Sequence, residues 1–182
     1  MGKRENTHQQ LLESVHKSFR ELGYDGAGVD GLASAAGVTS GAFYSHFGSK
    51  AQAFREAITM GVHQFDEAVQ HYQEKYGEDW LEMFSQFYLQ EKRNCHLSES
   101  CALQSLSSEV ARSDEKTRLV FQTELLKAVE TFSSGMKGAS TKDTWPVISM
   151  LIGGTILARA VKDDKLADEI AISIQRHMVK IS

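Results

Sequence analysis

Residues 36–50 read AGVTSGAFYSHFGSK and combine aromatic rings, a histidine and a lysine with many small residues. Gly37 permits the left-handed backbone conformation that a sharp turn needs, and Thr39 can cap the helix that follows it. Val38 and Phe43 are apolar and can hold that helix against the preceding one, in which Ala33 is small enough for a close crossing. The pattern predicts a helix-turn-helix, whose second helix can enter a DNA major groove.

Apolar residues at helical spacing occur along the whole chain. Between residues 11 and 22 they predict an amphipathic helix that ends at Gly23, and between residues 54 and 76 a long helix that ends at Gly77. Further helices are predicted at about 79–92, around residues 103–110, after Ser113, and at about 145–162 and 165–180. No period-two alternation is strong enough for a strand, so we expect an all-α fold of about nine helices.

Helix length changes near residue 50, where short helices give way to long ones. This change predicts two domains, residues 1–50 with the helix-turn-helix and residues 51–182 as a larger helical domain. The net charge of the chain is −4, which excludes a uniformly basic nucleic-acid binder. Residues 1–55 carry six Lys and Arg against five Asp and Glu, whereas the remainder carries 14 against 19. This asymmetry permits a DNA-binding end without demonstrating one.

The ordered string FRELGYDGAGVDGLASAAGVTSGAFYSHFGSK, residues 19–50, resembles the N-terminal signature of the tetracycline-repressor (TetR) family of bacterial transcription regulators. The resemblance covers about residues 7–60 by specific motifs and the rest of the chain by helix number and length. SCALQSLSSEVAR, residues 100–112, resembles the sixth helix of one common branch of the family. The resemblance implies a regulator, most often a repressor, that binds a palindromic operator in double-stranded DNA.

The resemblance also implies which residues contact DNA. Tyr44 and Lys50 correspond to positions that touch phosphates, and the remaining candidates lie on or beside the recognition helix, where base edges and sugars are met: Thr39, Ser40, Gly41, Ala42, Ser45 and His46. A tyrosine hydroxyl, a lysine and backbone N–H groups are ordinary phosphate partners. Gly28 stands where many members have a capping Thr or Ser, Asp30 would repel a phosphate, and Ser40 replaces a frequent Lys. These departures bear on affinity and operator sequence.

For the larger domain, the resemblance implies a site for an unknown small-molecule effector and a homodimer interface. The candidate pocket residues are Phe65, Tyr72, Phe84, Phe87, Tyr88, Cys101 and Phe121, although an aromatic stripe of this kind can also be plain core. The candidate interface residues are Ile152, Gly153, Ile156, Ile170 and Ile174, in two helices that resemble the dimerisation bundle of the family. Cys101 could be a redox sensor or a small buried hydrophobe.

Enzyme signatures are absent from the sequence, including phosphate-binding loops, nucleophile elbows and zinc-protease motifs. We therefore expect no catalytic activity, no cofactor and no metal site. The N-terminus lacks the apolar core of a signal peptide, and the most apolar run, residues 147–161, is shorter than the roughly 20 residues of a membrane span. We expect a cytoplasmic protein with no membrane partner. The alternative to a regulator is a helical protein-interaction module with a vestigial helix-turn-helix.

Overall fold

The computed structural model describes the backbone of residues 3–178 and the side chains of residues 7–178. In this range the chain is helical and contains no β-strand. The helices are α1 Lys3–Gly26, α2 Val29–Ala35, α3 Ser40–Phe47, α4 Lys50–Tyr76, α5 Trp80–Gln86, α6 Ala102–Ser105, α7 Ser107–Ala111, α8 Glu115–Ser134, α9 Thr141–Ala160 and α10 Asp164–Met178. Short 3₁₀ turns occupy Gly77–Asp79 and Leu97–Glu99, and a π-helical segment runs over Phe87–Lys92. The expected all-α fold is confirmed.

Helices α6 and α7 correspond to the single helix predicted around residues 103–110. Only Leu106 separates them. The Leu106 N–H donates to the Ala102 carbonyl, and the Leu106 carbonyl accepts the Val110 N–H, so the helical hydrogen bonds continue across this residue. Counting the pair as one gives the expected nine helices among the described residues.

The chain forms two compact units by internal contacts. The first contains residues 1–62 and 97–124, and the second contains residues 63–96 and 125–182. The chain passes from one unit to the other within α4, after His96 and within α8. The boundary expected at residue 50 coincides with the start of α4, and as a boundary between functional domains it stays a prediction.

The core of the first unit brings α1, α2, α3 and α4 together through fully buried rings and aliphatic side chains, namely Val15, Phe19, Leu32, Phe43, Phe54 and Ile58. The Phe19 and Phe54 rings meet edge to face with centroids 5.0 Å apart. Gly61 of α4 lies so close to α6 and α1 that a Cβ there would be 2.2 Å from the Ala102 Cβ and 2.7 Å from the His16 ring. This close approach fixes the scaffold that carries the helix-turn-helix.

In the second unit, α9 and α10 pack directly on each other. Gly154 of α9 is buried, and a Cβ there would lie 2.1 Å from the Ile174 Cδ1 atom of α10. Absence of a side chain at Gly154 therefore lets the Ile174 side chain reach the α9 backbone. This assigns Ile174 a packing contact within the chain, in addition to the interface role expected from the sequence.

Three local predictions are wrong. Leu22, which the spacing assigns to the buried apolar face of the first helix, is 56% exposed, although the helix breaks at Gly23 (φ 72°, ψ 177°) as predicted. Asp114, not Ser113, caps α8, since its carboxylate accepts the Thr117 N–H at 2.7 Å. The helix expected over 79–92 changes from α to π geometry at Phe87.

Candidate functional site

The turn between α2 and α3 has the geometry of a helix-turn-helix. Gly37 adopts φ 69°, which is favourable only for glycine, and the Val38 N–H returns to the Ala33 carbonyl at 2.9 Å. Thr39 then caps α3, because its hydroxyl oxygen accepts the Ala42 N–H at 3.2 Å. Both local predictions from the sequence are confirmed. The turn therefore holds the start of α3 in a fixed position next to α2.

Helix α3 buries one side and exposes the other. Phe43 and Phe47 are 0% and 3% exposed, whereas Tyr44 is 49% exposed. None of the eight expected DNA-contacting residues is buried: Thr39, Gly41, Tyr44 and Ser45 are exposed, and Ser40, Ala42, His46 and Lys50 are half-buried. The structure thus gathers all eight within α3, the residue that caps it and the first residue of α4.

Two of these residues are oriented by aromatic contacts. The Lys50 ammonium lies over the Tyr24 ring, 4.3 Å from its centroid, a cation–π contact that holds the charge at the start of α4. The Tyr44 ring meets the buried Phe43 ring edge to face, with centroids 5.8 Å apart. The Tyr44 hydroxyl and the Lys50 ammonium are therefore carried by side chains with restricted freedom.

Two arginines of the first unit are committed to internal bonds. Arg20 is buried and donates to the Ser100 carbonyl at 2.7 Å. Arg55 donates to Gln52 and lies 3.6 Å from the Asp114 carboxylate. These two guanidinium groups stabilise the fold, whereas the Lys50 ammonium at the start of α4 has an aromatic ring, that of Tyr24, as its partner.

Two side-chain contacts near the candidate site were not predicted from the sequence. The Nε2–H of His8 donates to the Glu56 carboxylate at 2.8 Å, and its ring lies 5.6 Å from His46 and 5.0 Å from Phe47. Asp30 of α2 accepts the Ser40 hydroxyl at 2.5 Å. Only the tertiary fold reveals the first contact, since 48 residues separate its partners. The second joins two residues that the sequence marked separately as departures from the family pattern.

The candidate effector residues are divided between the two units. Phe65, Tyr72, Phe84, Phe87 and Tyr88 belong to the second unit, whereas Cys101 and Phe121 belong to the first. In the second unit, Phe65, Phe84 and Tyr88 are buried and pack against one another and against Phe132, with centroids 5.7 to 6.4 Å apart. Burial raises the pKa of the Tyr72 phenol above its ordinary value, and the nearby Glu91 carboxylate adds to the effect. Tyr72 is therefore a neutral hydroxyl at physiological pH.

A cavity of about 890 Å³ opens beside this aromatic cluster, within the second unit. Its apolar wall includes Trp80, Met136, Pro146 and Met150, and Lys142 and His177 also line it. Trp80 belongs to both the cavity wall and the aromatic cluster. Its ring meets the Phe132 ring edge to face with centroids 4.8 Å apart, and its indole N–H donates to the carbonyl of Gly135, another lining residue, at 2.8 Å. The volume is within the roughly 300–1,000 Å³ of small-molecule sites.

The side of α9 that faces away from α10 carries exposed apolar side chains. Leu157 is 60% exposed, Ile156 41% and Trp145 36%, while Ile152 and Gly153 between them are half-buried. A Cβ at Gly153 would have no atom within 4 Å. On α10, Leu166 is 43% exposed and Ile170 is half-buried. An apolar helix face of this size in a single chain is typical of a surface that another protein covers.

Among side chains 7–178, no group of three or more His, Cys, Asp and Glu is placed to hold a metal ion. Cys101 is buried and Cys95 half-buried, and neither forms a disulfide.

Arg159 donates to the carbonyls of Lys92, Arg93 and Cys95 at 2.7 to 2.8 Å and so closes the end of the π-helical segment. No helix in the described range has both the length and the apolar character that crossing a bilayer requires.

Comparison with known proteins gives a family for the N-terminal part. Residues 11–57 match the family of bacterial regulatory proteins, tetR family. The HTH-type transcriptional repressor AcnR of Corynebacterium efficiens is 43% identical over 49 residues, which are 27% of this chain and 26% of that repressor. The match thus spans about a quarter of the length of the curated relatives.

Solved structures match the chain over its full length. A TetR-family transcriptional regulator from Cytophaga hutchinsonii aligns with a TM-score of 0.81 at 18% identity, covering 100% of this chain and 98% of that one. FadR of Bacillus subtilis, in complex with stearoyl-CoA, aligns with a TM-score of 0.72 at 14% identity, covering 94% and 97%. The similarity extends through both units and shows that the chain has the fold of these regulators.

Proposed function

We propose that this chain is a homodimeric transcriptional regulator of the TetR family, acting as a repressor that a small-molecule effector releases from its operator. The observation that carries the proposal is the exposed side of α3. Phe43 and Phe47 anchor the helix from below, and the turn at Gly37 and the cap at Thr39 fix its start. In a helix-turn-helix this arrangement inserts the second helix into a major groove while the first crosses the backbone.

The contacts divide into two kinds. Tyr44 and Lys50 position the protein on phosphates, and the small polar side chains at the start of α3 meet base edges. The Ser40 hydroxyl oxygen can accept hydrogen bonds from bases, and the methyl group of Ala42 suits a thymine methyl. Low bulk at Gly41 and Ala42 lets the backbone approach the duplex closely.

Random-sequence DNA selection with the purified chain tests the DNA-binding part. We expect enrichment of a roughly palindromic motif whose half-sites lie about 34–36 Å apart, one turn of the duplex, because two recognition helices of a dimer meet successive major grooves. Enrichment of no motif would contradict the proposal and favour a protein-interaction module. A motif without two-fold symmetry would contradict the dimeric reading alone.

For the effector, we assign the cavity beside Trp80 in preference to the packed aromatic cluster. The buried rings of Phe65, Phe84 and Tyr88 contact one another and leave their apolar surface already covered. The cavity has an apolar wall, and both basic side chains (Lys137, Lys142 and His177) and acidic ones (Glu78, Asp79 and Asp143) line it, a combination that suits a small amphipathic molecule. The bound acyl compound in the structure of FadR supports a ligand-responsive role for this fold.

A link between cavity and DNA follows from the course of the chain. Helix α4 starts at Lys50, a candidate phosphate contact, and ends at Tyr76, next to the Gly77–Asp79 turn whose residues Glu78 and Asp79 line the cavity. A ligand that favours one position of this turn would shift α4 and thereby the DNA-competent population.

Binding of anilinonaphthalene sulfonate, an apolar anionic dye, tests the cavity. Met150→Trp fills the space, so we expect dye fluorescence to fall sharply while operator binding persists. Leu126→Trp, on the exposed surface of α8, is the matched control and should leave dye binding unchanged. Equal dye binding by wild type and Met150→Trp would contradict the cavity assignment and favour the aromatic cluster of Phe65, Phe84 and Tyr88 as the effector site.

A further inference from the structure

The first residue of α3 and the second residue of α2 form a side-chain pair on the exposed part of the helix-turn-helix. The Ser40 hydroxyl donates to the Asp30 Oδ1 atom at 2.5 Å. Asp30 is exposed and Ser40 is half-buried, so this bond lies at the surface. Helices α2 and α3, which carry Asp30 and Ser40, are joined by the turn at Gly37 and Val38, and the hydrogen bonds of this turn hold the two residues in place relative to the rest of α3.

The hydrogen bond determines what the pair can offer a ligand. A serine hydroxyl has one proton and two acceptor lone pairs, and an ionised carboxylate only accepts. Because the Ser40 proton is given to Asp30, the atoms left over are acceptors on both residues. The pair therefore presents a patch that accepts hydrogen bonds and carries a negative charge.

Among the bases, this chemistry favours cytosine. In the major groove, cytosine presents the N4 amino donor, adenine presents an N6 donor beside the N7 acceptor, and guanine and thymine present acceptors. A carboxylate next to N7, O6 or O4 would set lone pairs against each other. Cytosine is the one base whose own edge offers a donor without an adjacent acceptor.

We infer that Asp30, held by Ser40, is a specificity-determining residue that selects cytosine at one position of each operator half-site. The inference rests on the proposed DNA-binding function. A carboxylate repels phosphates, so Asp30 contributes selectivity at the expense of general affinity, while Tyr44 and Lys50 supply the phosphate contacts.

Random-sequence selection followed by competition between four duplexes that differ at the selected position tests the inference. We expect wild type to prefer cytosine there by roughly tenfold, the scale of one good base contact. Asp30→Ala should lose this preference and bind unrelated DNA more tightly, because a negative charge has gone. Asp30→Asn should move the preference toward adenine, whose N6 and N7 atoms pair with a carboxamide.

Glu13→Gln is the matched control, since it removes one exposed carboxylate from α1 of the same unit. It should leave the selected motif unchanged. Circular dichroism and thermal unfolding verify that each variant is folded. If wild type selects a motif and both Asp30 variants select the same motif at every position, the inference is overturned and the regulator stands. If wild type selects no motif, the proposed function fails and the inference fails with it.

Discussion

Gly61 marks a close approach of helices in the first unit. A Cβ at this position would approach the Ala102 Cβ to 2.2 Å, and that atom belongs to a short, buried side chain that cannot rotate away. The His16 ring closes the other side at 2.7 Å. The distance between α4 and α6 is thus set at Gly61. Lys50, a candidate phosphate contact, is the first residue of the same helix α4.

Gly61→Ala should destabilise the chain by about 2–3 kcal/mol, because adding a methyl group to a filled core forces helices apart. Urea unfolding followed by circular dichroism measures the loss. The control is Gly31→Ala on α2, where a Cβ meets nothing within 4 Å. We expect the control to be neutral or to stabilise by up to about 1 kcal/mol, since alanine favours helix. Equal effects of the two substitutions would contradict the packing described here.

At the scale of elements, α9 begins with a capping arrangement. The Asp143 carboxylate accepts both the Ser140 N–H at 2.8 Å and the Ser140 hydroxyl at 2.7 Å. These hydrogen bonds lower the pKa of Asp143 below its ordinary value. The charged form is therefore favoured in the folded state and contributes stability at neutral pH.

The sign of the pH dependence follows. A carboxyl whose pKa is lower in the folded state stabilises the folded protein at pH values above its unfolded-state pKa of about 4. This contribution is lost as pH falls through the folded-state pKa. Asp143→Asn should therefore lower the thermal midpoint at pH 7, and this deficit should shrink as pH falls below about 4 toward the folded-state pKa. Glu169→Gln, an exposed carboxylate of α10, is the control. A deficit that is as large at pH 3 as at pH 7 would contradict the electrostatic origin of the cap.

Local signals of this kind are what the sequence predicts well. Thr39 and Ser49 cap helices through N–H groups three residues later, and Gly37 and Gly48 have the positive φ expected at helix ends. Each depends on a few neighbouring residues, so the pattern alone is sufficient. Leu22 shows the limit, because its spacing predicts burial on the apolar face of α1 and yet it is 56% exposed, directly before the break at Gly23.

Contacts between distant residues could not be predicted in the same way. The bond between His8 and Glu56 spans 48 residues and that between Asp30 and Ser40 spans 10, and neither has a periodic signature. The cavity beside Trp80 has the same origin, since its walls come from segments around residues 78–81, 135–150 and 177. The pairing of such segments depends on the assembled fold.

At the scale of the whole molecule, the apolar face of α9 that is exposed in the single chain indicates a surface that a partner protein covers. Leu157 is 60% exposed, and Ile156 and Trp145 lie on the same helix with 41% and 36% of their surfaces exposed. A second copy of the chain is the partner that the proposed function requires, since a palindromic operator matches a two-fold symmetric dimer.

Leu157→Glu should therefore weaken the proposed dimer by roughly two orders of magnitude, because a charge would be buried at the centre of an apolar interface. Analytical ultracentrifugation across a range of concentrations measures the change. Leu126→Glu on α8, where the leucine is 47% exposed, is the matched control and should leave association intact. A Leu157→Glu variant that associates as tightly as wild type would place the interface elsewhere.

The measurement that tests the central claim most directly is a fluorescence anisotropy titration of the selected operator and of a scrambled duplex. It compares wild type with Tyr44→Ala at about 50 and 200 mM salt. We predict that wild type prefers the operator, that its affinity falls steeply with salt through release of counterions, and that Tyr44→Ala binds both duplexes more weakly. Wild-type affinities that are equal for the two duplexes, or independent of salt, would contradict the assignment of α3 as a DNA-reading helix.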